Sequence, residues 1–291
     1  MPAVPMPQER IFSCVHGEVA ALTWGDAGKP CLLMLHGWLD NAASFTRLAP
    51  LFTSHHVIAL DLPGHGHSAP LHVGASYYIW DYVEVIHQVL LQLPTPVTIL
   101  GHSMGGVSAL ILSATFPEQV ARLVLLDSLG PFVGADHEMT VQLRKGIEQS
   151  LRRSQQRQSQ SVVYSRIEDA INARIKVDTR LQGDEIAPVV ERNLLRTEQG
   201  WCWRTDPRLR DASKVRLTEP MVRGVLQQVL APCLLLRAEF SIIPDAWFAD
   251  RAACLSDARS KVMLGHHHFH LQGGALPALF AAVKEFLDES I

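Results

Sequence analysis

Long apolar runs are missing from this chain of 291 residues, and none approaches the ~20 residues that a membrane-spanning helix needs. Charge of one sign is not in excess either. The 26 Lys and Arg face 29 Asp and Glu, a formal net charge of −3, which gives no push toward nucleic acid or an anionic membrane. Cysteine is sparse: five residues, an odd number, widely spaced and without a C-x-x-C. That excludes a disulfide frame or a thiolate zinc site and points to reduced thiols in a cytoplasmic protein. The opening MPAVPMPQER has neither a basic stretch nor an apolar core, so no signal peptide is expected.

What is present is a normal globular balance, 47% apolar and 19% charged, which rules out a disordered chain. Ile11–Val15 and Val19–Trp24 read as an opening hairpin around His16-Gly17. Cys31–Leu35, Val57–Leu60, Val97–Leu100 and Leu123–Leu126 are continuous rather than alternating, as parallel strands buried on both faces are. Between them, Tyr78–Leu91 has helical spacing, with Tyr82, Val85, Ile86 and Val89 on one face. Strand and helix thus alternate, which predicts an α/β sheet with right-handed crossovers.

The rhythm breaks after Asp127. Residues 131–223 show no convincing buried strand and hold 17 of the basic residues against 13 of the acidic ones. Ser150–Ser161 is polar throughout and reads as a solvated helix or linker, with a basic docking patch as the weaker reading. Strand signals return at Cys233–Leu236 and Lys261–Leu264, and an apolar helix closes the chain over Leu276–Leu287. The expected organisation is one α/β core, 1–130 and 226–291, interrupted by an insertion at 131–225.

Chemistry concentrates at Gly101-His102-Ser103-Met104-Gly105-Gly106, a G-x-S-x-G run between a strand and helix-forming positions. By itself the run is weak, arising by chance in roughly one in ten chains of this length at average glycine usage. In a strand–turn–helix setting it is specific, because a nucleophile on so tight a turn needs neighbours without a Cβ. The Met104 N–H then opens a helix and faces a developing oxyanion. His36-Gly37-Trp38 follows a strand and suits a loop that offers a second such N–H, from Trp38, with His36, Trp38 and His102 as candidate substrate contacts. Asp61-Leu62-Pro63-Gly64-His65-Gly66-His67-Ser68 reads as a rigid supporting turn; His65 and His67 lack the partners of a metal site. In Gly265-His266-His267-His268-Phe269-His270-Leu271 a loop histidine after the last strand should be the general base, but three adjacent histidines leave the choice open, with a metal cluster as the alternative.

H-G-W, D-L-P-G-H-G-x-S, G-H-S-M-G-G, L-V-L-L-D and the histidine run, in this order, resemble the α/β-hydrolase superfamily. HGWLDNAASF together with GHHHFHL is most similar to the serine hydrolase-like proteins. The resemblance covers roughly 10–130 and 230–290 and little of the insertion. It implies an eight-stranded, mostly parallel sheet with a helical cap inserted after the sixth strand, and no cofactor or metal. It implies Ser103 as nucleophile, His267 as base with His268 as the alternative, and Trp38 and Met104 as oxyanion donors. The acid departs from the pattern: most relatives carry Asp after the seventh strand, where this chain has Ser241. Asp127, at the end of the sixth strand, is the preferred replacement, ahead of Glu239, Asp245 or no acid at all.

The expected activity is a carboxylesterase-like hydrolysis of a small or medium acyl ester or thioester. Trp201, Trp203, Val162, Val163 and Ile167 are candidates for lining an acyl pocket or, more plainly, the core of the cap. Carbon–carbon bond hydrolysis or perhydrolysis would use the same serine, whereas dehalogenases and epoxide hydrolases need a carboxylate in its place. A non-catalytic binding module is the reading from another class. No nucleic-acid partner is expected, and oligomeric state has no sequence signal.

Overall fold

The computed structural model describes residues 6–155, 162–178 and 180–289. Eight strands form one sheet: β1 Gln8–Cys14, β2 Gly17–Trp24, β3 Cys31–Leu35, β4 His56–Leu60, β5 Val97–His102, β6 Val120–Leu126, β10 Cys233–Phe240 and β11 Ala258–His266. Their spatial order is β1-β2-β4-β3-β5-β6-β10-β11. The opening hairpin is antiparallel, β2 pairs β4 antiparallel, and every later pairing is parallel. The central runs are buried on both faces. In β3, Leu33 and Leu35 point into a core shared with α1 (Ile79–Leu90), α2 (Met104–Thr115) and α6 (Glu219–Leu226), while Leu32 and Met34 point into a second core closed by α8 (Leu276–Asp288). No helix is long and apolar enough to cross a membrane, among the described residues.

The segment between β6 and β10 is not purely helical, contrary to the sequence reading. Besides α3 (Met139–Gln155), α4 (Ile167–Ile175) and α5 (Gly183–Arg192), it holds β7 Val163–Tyr164, β8 Leu194–Thr197 and β9 Gly200–Trp203. These form a three-stranded antiparallel sheet in the order β7-β9-β8. At two to four residues each, most of them exposed or half-buried, these strands leave too little apolar pattern for the sequence to mark them. Of the polar Ser150–Ser161 run, the first part completes α3; residues 156–161 lie outside the described residues.

A buried ion pair ties this segment to the core. Arg192, at the end of α5, places Nε 2.9 Å from Asp61 Oδ2 and Nη1 2.6 Å from Glu9 Oε1 in β1. Asp61 is fully buried and also accepts the N–H groups of Ala42 and His67. The D-L-P-G-H-G-x-S turn is therefore the joint between core and insertion. Nothing in the sequence pairs Arg192 with Asp61, because 131 positions separate them.

The same turn buries two imidazoles. His65 lies wholly inside, its Nδ1 donating to the Pro63 carbonyl and its Nε2 accepting the Leu39 N–H. His36 donates from Nδ1 to the Gly37 carbonyl and accepts the Leu62 N–H at Nε2. Burial pushes the pKa of His36 down to about 4; burial and then the neighbouring His36 push that of His65 down to about 3. Unfolding frees both to bind protons below their ordinary value of about 6.5, so stability falls as pH falls from there toward 4. Each imidazole contributes up to about 1.4 kcal/mol per pH unit in that window. Urea midpoints should drop steeply between pH 7 and pH 5, and His65→Gln, if folded, should flatten the slope. Equal midpoints at the two pH values would contradict this assignment.

Candidate active site

Among the described residues, three that are not glycine have a positive φ: Leu39 at 64°, Ser103 at 49° and Asp127 at 43°. All three line or adjoin one cavity of about 1050 Å³ between the sheet edge and the insertion. Strain of this kind persists only where surrounding contacts enforce it, and here each contact can be named.

Ser103 sits between β5 and α2. Its N–H donates to the Leu126 carbonyl, and its own carbonyl accepts from Val107 N–H and from the Ser128 hydroxyl at 2.7 Å. The glycines around it leave no room for side chains. A Cβ on Gly105 would stand 2.3 Å from the Leu35 carbonyl oxygen, and one on Gly101 2.5 Å from Gly106 Cα. Strand and helix therefore meet at backbone contact, which lifts the serine out of the sheet edge. Met104 is the first residue of α2. Among the described residues, neither its N–H nor that of Trp38 meets an acceptor, and both residues line the cavity. The Trp38 loop is held by the Trp38 indole, which donates to the Leu209 carbonyl at 2.9 Å, and by His65 at Leu39.

His267 follows β11, and its Nδ1 lies 2.7 Å from Asp127 Oδ2. Asp127 Oδ1 accepts the Ala238 N–H at 3.0 Å. Burial pushes this carboxyl's pKa up, but hydrogen bonds from His267, the Ser241 hydroxyl and the Ala238 N–H outweigh it and hold it below the usual range. Ser241, where the family resemblance implies an acid, follows directly on β10, the strand whose Ala238 N–H meets this carboxylate. The other acids are not brought in. Glu239 is exposed near the end of β10, and Asp245 opens α7 (Asp245–Ala252) paired with Arg237. His268 lines the cavity, but its Nδ1 faces Asp178 at 3.3 Å.

The expected substrate contacts separate. His36 does not reach the cavity: it is fully buried with both ring nitrogens occupied by backbone. His102 lines the cavity floor together with Trp38, but its ring is fully buried, with Nε2 2.9 Å from the His267 carbonyl. Of the proposed pocket residues in the insertion only Trp203 lines the cavity. Trp201 and Ile167 pack into the small apolar core of the insertion, and Val162 and Val163 are solvent-facing. Sequence reasoning missed Tyr77, Tyr78, Ile79 and Trp80, which line the wall where α1 begins. The local aromatic density of Tyr77, Tyr78 and Trp80 was the available signal.

A mostly parallel eight-stranded sheet with a serine elbow after β5 and a histidine–aspartate pair at the same edge defines an α/β hydrolase. Residues 30–167 match the family described as alpha/beta hydrolase fold. The chain is 31% identical over 287 residues to a serine hydrolase-like protein of Danio rerio, covering 93% of this chain and 85% of that one. A solved structure of a hypothetical protein from Pseudomonas aeruginosa superposes with a TM-score of 0.89 at 32% identity, over 97% of this chain and 99% of that one. An esterase of Mycobacterium tuberculosis is 34% identical over 142 residues, 48% of this chain and 46% of that protein. The chain belongs to the serine hydrolase-like proteins of the α/β-hydrolase superfamily.

Proposed function

We propose that the protein is a serine hydrolase that cleaves a carboxylic ester or thioester through an acyl-enzyme on Ser103. The observation that carries this reading is the 2.7 Å contact between His267 Nδ1 and Asp127 Oδ2, at the edge where Ser103 is held on its strained turn. A carboxylate only accepts, so the imidazole donates from Nδ1 and keeps a lone pair on Nε2. That is the tautomer a general base needs. In this scheme His267 takes the Ser103 hydroxyl proton as the oxygen attacks the acyl carbon. Trp38 and Met104 N–H groups receive the oxyanion. The proton then passes to the leaving alcohol or thiol, and water repeats the sequence to release the acid. Residues 131–225 would act as the cap, and the aromatic wall of Tyr77, Tyr78 and Trp80 would take the apolar part of the substrate. The partial likeness to an esterase supports ester chemistry ahead of carbon–carbon cleavage or perhydrolysis.

A fluorophosphonate probe tests the reading directly. The expected result is covalent labelling that maps to Ser103 by mass spectrometry and disappears in His267→Ala. A folded chain that takes no label would remove the activated nucleophile and favour a binding module.

A further inference from the structure

Behind the candidate active site lies a buried cluster of ligating atoms that the hydrolytic scheme does not use. His102 Nε2 is 2.9 Å from the His267 carbonyl, which can only accept, so Nε2 carries the proton and Nδ1 a lone pair. Among the described residues, that Nδ1 meets no donor, and 4.0 Å away lies Asp40 Oδ2, a second acceptor without a donor. His270 is fully buried, with neither ring nitrogen paired among the described residues, and its ring centroid lies 4.1 Å from that of His102. One ligating atom each from Asp40, His102 and His270 falls within 4.8 Å of the other two. His268 Nε2 approaches from the cavity side, 3.7 Å from Asp40 Oδ2. The other oxygen of Asp40 faces Arg174 at 3.4 Å, which leaves Oδ2 free to bind through one atom.

Buried polar atoms left unpaired are costly, and here several converge on one point. A proton on His268 would answer Asp40 but neither His102 Nδ1 nor His270. A cation answers all of them. We propose that Asp40, His102 and His270, with His268 at the mouth, bind one divalent transition-metal ion of the Zn²⁺ type, and that the ion inhibits the enzyme. Imidazole and carboxylate are the donors such ions take, at about 2.0–2.2 Å. Closing onto the ion requires the ligands to move inward by under ~1 Å from their present spacing.

The inhibitory half of the proposal rests on the hydrolase reading; the binding half does not. His102 and His268 flank the His267 ring, with centroids 4.7 and 5.1 Å from it. A double positive charge there disfavours the imidazolium that His267 becomes as Ser103 attacks. His102 also bonds the His267 backbone, so ligation fixes the base from behind.

The test is equilibrium dialysis of the full-length chain against ZnCl₂, followed by ester hydrolysis with and without EDTA. Expected are about one ion per chain, inhibition that EDTA reverses, and binding weakened ~100-fold or more in Asp40→Asn and in His270→Gln. Unweakened binding in both variants would overturn the site. So would loss of binding in Asp178→Asn alone, which would move the ion to Asp178, His266 and His268. Should the buried variants fail to fold, the visible d–d absorption of Co²⁺ bound to the wild-type chain decides. Bands of a nitrogen- and oxygen-ligated ion that persist in Asp178→Asn support the site; no bands, or bands lost in Asp178→Asn, overturn it. Stoichiometric binding without any ester turnover would sink the hydrolase reading and leave the metal site standing.

Discussion

Ser103→Ala abolishes ester turnover and leaves the fold intact: kcat should fall by about 10⁴–10⁶-fold, to the level that binding and the oxyanion donors sustain alone. The magnitude follows from the role. Without the hydroxyl no acyl-enzyme forms, and His267 and Asp127 have nothing to activate. Stability should stay within about 0.5 kcal/mol. The contacts that hold the turn are backbone ones, the Ser103 N–H to Leu126 and the Ser103 carbonyl to Ser128 and Val107, and all survive the change. The check is active-site titration and a urea curve on the same preparation. Hydrolysis at the wild-type rate by pure Ser103→Ala would overturn the nucleophile.

Asp127→Asn should cost about 10⁴-fold in kcat, while Glu239→Gln and Asp245→Asn stay within twofold of wild type. An amide at residue 127 can offer an N–H to His267, which then keeps its proton on Nε2 and loses the lone pair that the proposed scheme needs to take the serine proton. The loss should therefore fall on kcat far more than on KM. Asp127 also accepts the Ala238 N–H through Oδ1, so the variant's fold must be confirmed by circular dichroism and its melting point. A loss in Glu239→Gln that exceeds the loss in Asp127→Asn would reverse the assignment. A double substitution, Asp127→Asn with Ser241→Asp, probes the same edge from the neighbouring strand, because Ser241 follows directly on β10, whose Ala238 N–H meets Asp127. Partial recovery of activity would show that either strand end can serve the one histidine.

Most of the core was legible because burial on both faces leaves no choice of residue. Cys31–Leu35 is the observed β3 residue for residue, and the apolar stretches at Val57, Val97 and Leu123 each mark a strand that runs one to three residues further. The serine turn was legible for a steric reason, since only glycine fits where Gly101 and Gly105 meet backbone. The choice among His266, His267 and His268 was not. Three adjacent imidazoles have the same chemistry, and what separates them is which one meets Asp127, a contact across 140 positions. His36 misled because a histidine beside an oxyanion loop looks like a substrate contact, while its actual partners are the backbone of Gly37 and Leu62. The small sheet of β7, β8 and β9 escaped because its strands are short and half-exposed, and the Arg192–Asp61 joint because charge pairing has no sequence period.

The order of strands has a consequence for synthesis. β10 pairs directly with β6, from Cys233 against Leu123 to Leu236 against Leu126, yet the whole segment between Leu126 and Cys233 must leave the ribosome before that pairing can form. At ~5–20 residues per second this takes on the order of 5–20 s. Throughout that interval the nascent half-sheet presents β6 as a bare parallel edge of buried-type residues, Leu123 to Leu126, with its backbone donors and acceptors unspent. The emerging chain is thus most exposed to misassembly when it is nearly half made, and a chaperone or a slow-translated stretch would matter most between β6 and β10.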